Sequence, residues 1–291
     1  MPAKLHFIAG LPRSGSTLLA ALLRQNPRFH ARISSPLCGL FASLVAGMAG
    51  EVAALVTDAQ RERILRGLFD NYYADQGDKS VVFDTNRGWC ARLPALHRIV
   101  PDAKVICMVR NLAWVMDSIE RLIRANPLLP SRLYADDNER ATVYSRCDAI
   151  GHRNRLVGGA WSALKEAFYG DDADRLLIVE YEYLTRAPER TMALIYEFLG
   201  EEPFAHEFDN LDYDEPEFDE ILATPGLHRV RRKVEFVARR TVLPPDLFDR
   251  FNALSFWTDP APSLANIVAP KRPAVAAEEA SPASASEPLQ G

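Results

Sequence analysis

The 291-residue chain carries 34 Lys and Arg against 39 Asp and Glu, a formal net charge of −5, and 48% of its residues are hydrophobic. This is ordinary globular composition with length enough for a large buried core. It excludes a broadly basic nucleic-acid binder, and no run of about 18 apolar residues exists to span a membrane.

Met1–Lys4 leads directly into an apolar run, without the apolar region and small-residue cleavage site of a secretory signal. Cys38, Cys90, Cys107 and Cys147 form no CxxC pair. Buried thiols in a reducing cytoplasm are therefore expected, rather than zinc ligands or disulfides. Residues 4–9 read as a buried strand, 10–17 as a loop, and 16–25 as a helix with Leu18, Leu19, Leu22 and Leu23, stopped by Pro27. An amphipathic helix follows over 59–74, a strand over 80–84, a short helix over 92–100, a strand over 103–109 and a helix over 113–125. Residues 131–170 read as a helical insertion or lid that ends in a helix over 152–169. A strand at 175–180 and a helix over 188–199, with Pro188 in its first turn and Gly200 beyond its end, complete the pattern.

Strands alternating with helices imply parallel strands joined by right-handed crossovers, and strands without polar alternation imply burial on both faces. The expected fold is α/β: one three-layer domain over residues 1–268, with a parallel sheet and a P-loop-like phosphate loop. Residues 269–291, rich in Ala, Pro, Ser and Glu, are expected to be a disordered tail.

The loop Gly10-Leu11-Pro12-Arg13-Ser14-Gly15-Ser16-Thr17 lies between a strand and a helix. Backbone N–H groups there point at an anion, the helix dipole favours negative charge, and Ser14, Ser16 and Thr17 add hydroxyls. The spacing nearly matches G-x4-G-K-[ST], but Ser16 stands where the lysine for β- and γ-phosphates belongs. A Mg-ATP-dependent kinase therefore lacks its main charge partner, and a smaller 5′-anion fits better. A second anion site is suggested by Arg110, which ends an apolar strand, with Ser118 eight residues on in the next helix. Strand carboxyl ends carry the ligands in open α/β sheets, and a guanidinium suits a phosphate.

These segments resemble the sulfotransferases that use 3′-phosphoadenosine-5′-phosphosulfate (PAPS). The stretch Pro12-Arg13-Ser14-Gly15-Ser16-Thr17 is similar to their 5′-phosphosulfate loop, in the arginine form of the bacterial, carbohydrate and tyrosylprotein branches. Arg110 and Ser118 match their 3′-phosphate pair, and Val179–Leu184 resembles their Y-E-[DE]-L segment, which includes Tyr181. The resemblance covers about residues 5–200. It implies sulfuryl transfer from PAPS, without a metal, to a hydroxyl or amine of a small molecule, glycan or peptide, with release of adenosine 3′,5′-bisphosphate. It further implies that Pro12 to Thr17, Arg110, Ser118 and Tyr181 bind the donor and that Arg13 stabilises the leaving phosphate. Arg231, Arg232 and Lys233 loosely resemble the family's C-terminal R-K-G loop over the 3′-phosphate, with Val234 in place of glycine; Arg232 and Lys233 are the expected 3′-phosphate contacts.

The family's basic histidine falls near Asn86 and the alternative glutamate near Ser34-Ser35-Pro36, so neither carries over. Asp84, at a strand end, is the candidate general base, with a helix cap or a structural partner of Arg87 as the alternative. Arg87 is a candidate for binding sulfate or acceptor. Trp89, Trp114, Phe41, Leu37 and Leu40 are candidate walls of an acceptor pocket, although core is the commoner use of such residues. Glu207–Glu220 holds eight acidic residues in fourteen and reads as a solvated loop, as a recognition surface for a basic acceptor, or as a partner of the basic run 228–240. A non-catalytic nucleotide-binding module stays open beside the enzyme, and the pattern shows no oligomer interface.

Overall fold

Apolar runs of five to seven residues build the middle of the sheet, and three-residue strands close its edges. In the computed structural model, which describes residues 4–211, 213, 216–221, 225, 228–259 and 262–268, the strands are β1 (Lys4–Gly10), β2 (Phe29–Ala31), β3 (Val81–Thr85), β4 (Val105–Val109), β5 (Leu176–Glu180) and β6 (Asn266–Val268). All pair in parallel, in the order β2-β3-β1-β4-β5-β6. The expected tail, 269–291, lies outside the described residues.

The four predicted strands are all present. The two edge strands were not anticipated: Phe29-His30-Ala31 and Asn266-Ile267-Val268 are too short to show a pattern. From β1 the chain moves towards β2 on one side, and from β4 towards β5 on the other. The topological switch therefore lies between the carboxyl ends of β1 and β4, where such sheets bind ligands.

Both sheet faces are covered. Phe7, Val82, Val105, Cys107 and Ile178 face one cluster, and Ile8, Phe83, Ile106, Met108 and Val179 face the other. Helices Leu93–Ile99, Leu112–Ala125 and Leu156–Tyr169 cover the first face, while Ser16–Leu23 and Pro188–Leu199 cover the second. Trp89 centres the first cluster, with ring centroids 5.0 Å from Phe7 and 5.7 Å from both Phe41 and Phe69. Burial of each such ring contributes about 1.5–3 kcal/mol. Trp89, Phe41 and Leu37 are thus core rather than an acceptor wall, and Leu40 is exposed.

Local signals fix the helices. Thr57 and Gln60 form a reciprocal cap on helix Asp58–Tyr72. Helix Pro188–Leu199 begins with proline and ends at Gly200 with φ 70°. The 131–170 segment forms helices Asp137–Ala141, Val143–Gly151 and Leu156–Tyr169. It is pinned to helix Leu112–Ala125 by buried Glu120, which takes Arg146 at 2.7 Å and Arg124 at 2.7 Å. All four cysteines are free and buried. Among the described residues no helix is long and apolar enough to cross a membrane.

Candidate active site

At the switch point the chain leaves β1 through a loop of unusual dihedrals: Gly10 at φ 106°, Arg13 at φ 58° and Gly15 at φ 97°. Two of these require glycine. A Cβ on Gly10 would sit 2.1 Å from the Met108 carbonyl oxygen, and one on Gly15 2.8 Å from Cδ2 of Tyr181. Arg13 adopts the left-handed region without being glycine, a strain concentrated at functional sites. The loop wraps one end of a cleft of about 460 Å³ lined by Gly10–Arg13 and Gly15–Leu18, by Thr85–Arg87, and by Arg110, Ser118 and Tyr181. Leu133 and Leu156, from the helical insertion, also reach it.

The two expected anion motifs meet here. Arg13 Nε donates to Ser118 Oγ at 3.1 Å across 105 residues of chain. Asn111 caps helix Leu112–Ala125 by accepting from Ala113 N–H, which aims that helix start at the cleft edge and sets Ser118 two turns along it. Arg110 is held from two sides, by Glu182 Oε1 at 3.0 Å from Nε and by the Tyr181 ring 4.3 Å beneath its guanidinium. Burial, then the charge of Arg110, pushes the Arg13 pKa down to about 10, so its guanidinium stays charged at neutral pH.

Three expected site residues are corrected. Ser14 lines no part of the cleft: it is wholly buried, and its hydroxyl lies within reach of the carbonyl oxygens of Leu11 and, at 2.8 Å, Met108. It clamps the loop to β4 instead of offering its hydroxyl to a ligand. Asp84 is not placed to act as a base. Alternation along β3 sends Thr85 to the cleft and Asp84 into the core. There Asp84 accepts from Tyr73 Oη at 2.6 Å and Trp89 Nε1 at 2.6 Å with no exposed surface. Arg232 is exposed outside the cleft, and its carbonyl accepts from Leu211 N–H at 2.7 Å.

Pro12, Arg13, Gly15, Ser16, Thr17, Arg110, Ser118, Tyr181 and Lys233 do line the cleft, Lys233 while paired with Asp209 at 3.0 Å. The basic run does pack on the acidic one, through that pair and through Val234 N–H on the Phe208 carbonyl at 2.7 Å. Asp212, Asp214 and Glu215 lie outside the described residues.

For Asp84, desolvation raises the pKa while the bonds from Ser35, Tyr73 and Trp89 oppose the rise. Asp84→Asn places an N–H2 where the carboxylate accepts from Ser35, Tyr73 and Trp89, so it is expected to cost about 1–3 kcal/mol of stability in urea unfolding. Turnover per folded molecule should stay within about threefold. A loss of about a hundredfold at full stability would restore the base role.

Two functional candidates lie in the irregular segment after residue 200. His228 lines the cleft, its Nδ1 2.6 Å from Asp219 Oδ1, while its backbone N–H donates to Asp219 Oδ2 at 3.0 Å. Desolvation holds the imidazole below its ordinary pKa, Asp219 opposes this, and the charges of Arg13 and Arg87 add to it. Arg239 lines the cleft beside Arg110, with Nη2 2.7 Å from Oδ2 of wholly buried Asp117. Asp117 also accepts from Val242 N–H at 2.7 Å and Arg121 Nε at 3.0 Å, anchoring the strap that carries Arg239. A carboxylate one residue before Ser118 was the available signal for this anchor, but spacing alone does not connect it to position 239.

A family model described as Sulfotransferase family matches residues 6–206. Nodulation protein NoeE of Sinorhizobium fredii (strain NBRC 101917 / NGR234) is 30% identical over an alignment of 119 positions that covers 36% of this chain and 28% of that protein. Similar solved structures include the sulfotransferase domain of the Synechococcus PCC 7002 olefin synthase, at 20% identity, 86% of this chain, 88% of that one and TM-score 0.43. The sulfotransferase domain from the curacin biosynthetic pathway gives 16%, 88%, 92% and 0.48. Sulfotransferase STF9 from Mycobacterium avium gives 16%, 88%, 77% and 0.48.

Proposed function

The chain belongs to the sulfotransferase family, and from that premise we propose that it transfers a sulfuryl group from PAPS to a hydroxyl or amine of its acceptor, releasing adenosine 3′,5′-bisphosphate. The observation that carries the donor reading is the Arg13–Ser118 hydrogen bond, which joins a 5′-anion loop to a 3′-anion motif in one cleft. A ligand with two separated phosphates accounts for both motifs at once. Four free, buried thiols are in keeping with a reducing cytoplasm.

In this reading the loop amides and Arg13 take the 5′-phosphosulfate, and Arg110, Ser118 and Arg239 take the 3′-phosphate. Tyr181 supports Arg110 from below, and Lys233 adds positive charge at the mouth. His228 accepts the acceptor's proton as its oxygen bonds to sulfur. The sulfur–oxygen bond to the 5′-phosphate breaks, and Arg13 meets the charge that grows on that oxygen. Placement and electrostatic stabilisation are the main needs of such a transfer.

Thermal unfolding with adenosine 3′,5′-bisphosphate, AMP and ATP–Mg²⁺ tests the donor site. Saturation at a hundred times Kd stabilises by about 2.7 kcal/mol. The bisphosphate is expected to stabilise the protein well beyond AMP. Arg110→Ala should weaken the bisphosphate about tenfold or more while leaving AMP unchanged. Equal stabilisation by AMP and the bisphosphate would reject the donor. Transfer of labelled sulfate from PAPS to a panel of hydroxyl compounds then tests the reaction.

A further inference from the structure

Resting on the donor reading above, we infer that the acceptor carries an anionic group, a carboxylate or a phosphate, and that Arg87 on the β3 side of the cleft binds it. The sheet order divides the cleft. Arg110, Ser118 and Tyr181 follow β4 and β5 on one side of the β1 loop, and Thr85, Asn86 and Arg87 follow β3 on the other, with Ile33 and Ser34 after β2. Donor motifs occupy the first side, which leaves the second for the acceptor.

Among the described residues the Arg87 guanidinium on that second side has no counter-ion. Among the described residues no carboxylate lies within ion-pair distance of it and no side-chain hydrogen bond reaches it. By contrast Arg110, Lys233 and Arg239 are each paired with a carboxylate, at 3.0, 3.0 and 2.7 Å. Arg87 is exposed to solvent on this wall, and the protein packed beside it lowers its pKa. Exposed on the cleft wall, this guanidinium keeps its donors open to a bidentate carboxylate or phosphate.

Its position is also fixed. Asn86 accepts from Gly88 N–H at 3.0 Å and donates to the Ser35 carbonyl at 3.3 Å, so the turn that starts with Arg87 is braced on both sides. Next to it on the same wall, buried Thr85 has a hydroxyl without a hydrogen-bond partner, a second donor available to an oxyanion. His228 lies in the electrostatic field of both Arg13 and Arg87. A hydroxyl presented to His228 thus has the leaving phosphate on one side and an anion-binding guanidinium on the other.

The test compares hydroxy acids with their amides. Aromatic and aliphatic members, 4-hydroxybenzoate and 3-hydroxybutyrate among them, are paired with the corresponding amides, and hydroxyalkyl phosphates are included. Each is assayed for sulfate transfer from PAPS and, by calorimetry, for binding to the protein saturated with adenosine 3′,5′-bisphosphate. The expected result is a preference of about tenfold or more for the anionic member of the best pair. Arg87→Gln should abolish that preference while bisphosphate affinity stays within about threefold of the unsubstituted protein. Amides serving as well as acids would overturn the inference. So would an Arg87→Gln protein that loses transfer to neutral and anionic acceptors alike, since Arg87 would then belong to the sulfuryl group. Failure of the donor reading is a separate event, seen as no bisphosphate binding by the unsubstituted protein.

Discussion

Arg13→Ala is expected to lower turnover about 10²–10³-fold, the usual cost of removing one preorganised charge-stabilising donor, without loss of the fold. Arg13 sits where the leaving phosphate would gain charge, and among the described residues its side chain hydrogen-bonds to Ser118 alone. No carboxylate among the described residues pairs with it, so its removal orphans no buried charge. Its backbone, at φ 58°, is in the left-handed region, which costs a non-glycine residue about 1–2 kcal/mol. Arg13→Gly relieves that strain and loses about 0.5–1 kcal/mol to the freer unfolded chain, so its melting temperature should stay within a few degrees of the unsubstituted protein. The pair of variants separates roles. Turnover with PAPS and the best acceptor from the panel should collapse in both, while bisphosphate affinity falls far less, because the product lacks the transferring group. A melting temperature that drops in step with activity in Arg13→Gly would make Arg13 a structural residue.

That loop was legible because its information is local. Gly10, Gly15, Ser16 and Thr17 lie within eight residues, and the strand before them and the helix after them announce themselves by hydrophobic pattern. Arg110 and Ser118 were legible for the same reason, since eight residues is about two helical turns. Asp84 was misread because β3 is buried on both faces. Val82 and Phe83 are equally apolar, so nothing in the pattern says which of Asp84 and Thr85 faces the ligand. Register with β1, where Phe7 pairs with Asp84, settles the phase. Arg239 and His228 were missed for another reason. Each is positioned by one buried carboxylate, Asp117 or Asp219, and the backbone between has no period to read. The loose match to the family's R-K-G loop drew attention to Arg232 and Lys233, and no such motif points to Arg239, which the pair with Asp117 brings to the cleft.

His228→Ala is expected to lower turnover about 10²–10⁴-fold, the range for removal of a general base, and the pH profile distinguishes this from a packing defect. Burial keeps the His228 pKa below its ordinary 6.5, with the nearby charges of Arg13 and Arg87 adding to the shift. The imidazole is therefore neutral at pH 7. With its proton on Nδ1 towards Asp219, the basic nitrogen is Nε2. The rate should be flat near neutrality and fall as pH drops through the lowered pKa, where the base becomes protonated. The alanine variant should lack this acid limb in its residual activity. Neutral His228 also stabilises the fold relative to the unfolded chain, whose histidine takes up a proton near 6.5. That contribution is present above 6.5 and declines as pH falls below it, so rates must be normalised to the folded fraction. The neighbours supply opposite shifts. Asp219→Asn removes the group that raises the pKa and should move the limb to lower pH. Arg87→Gln removes a charge that lowers it and should move the limb up. A limb that survives His228→Ala, or that ignores both neighbours, would assign the proton transfer to another group.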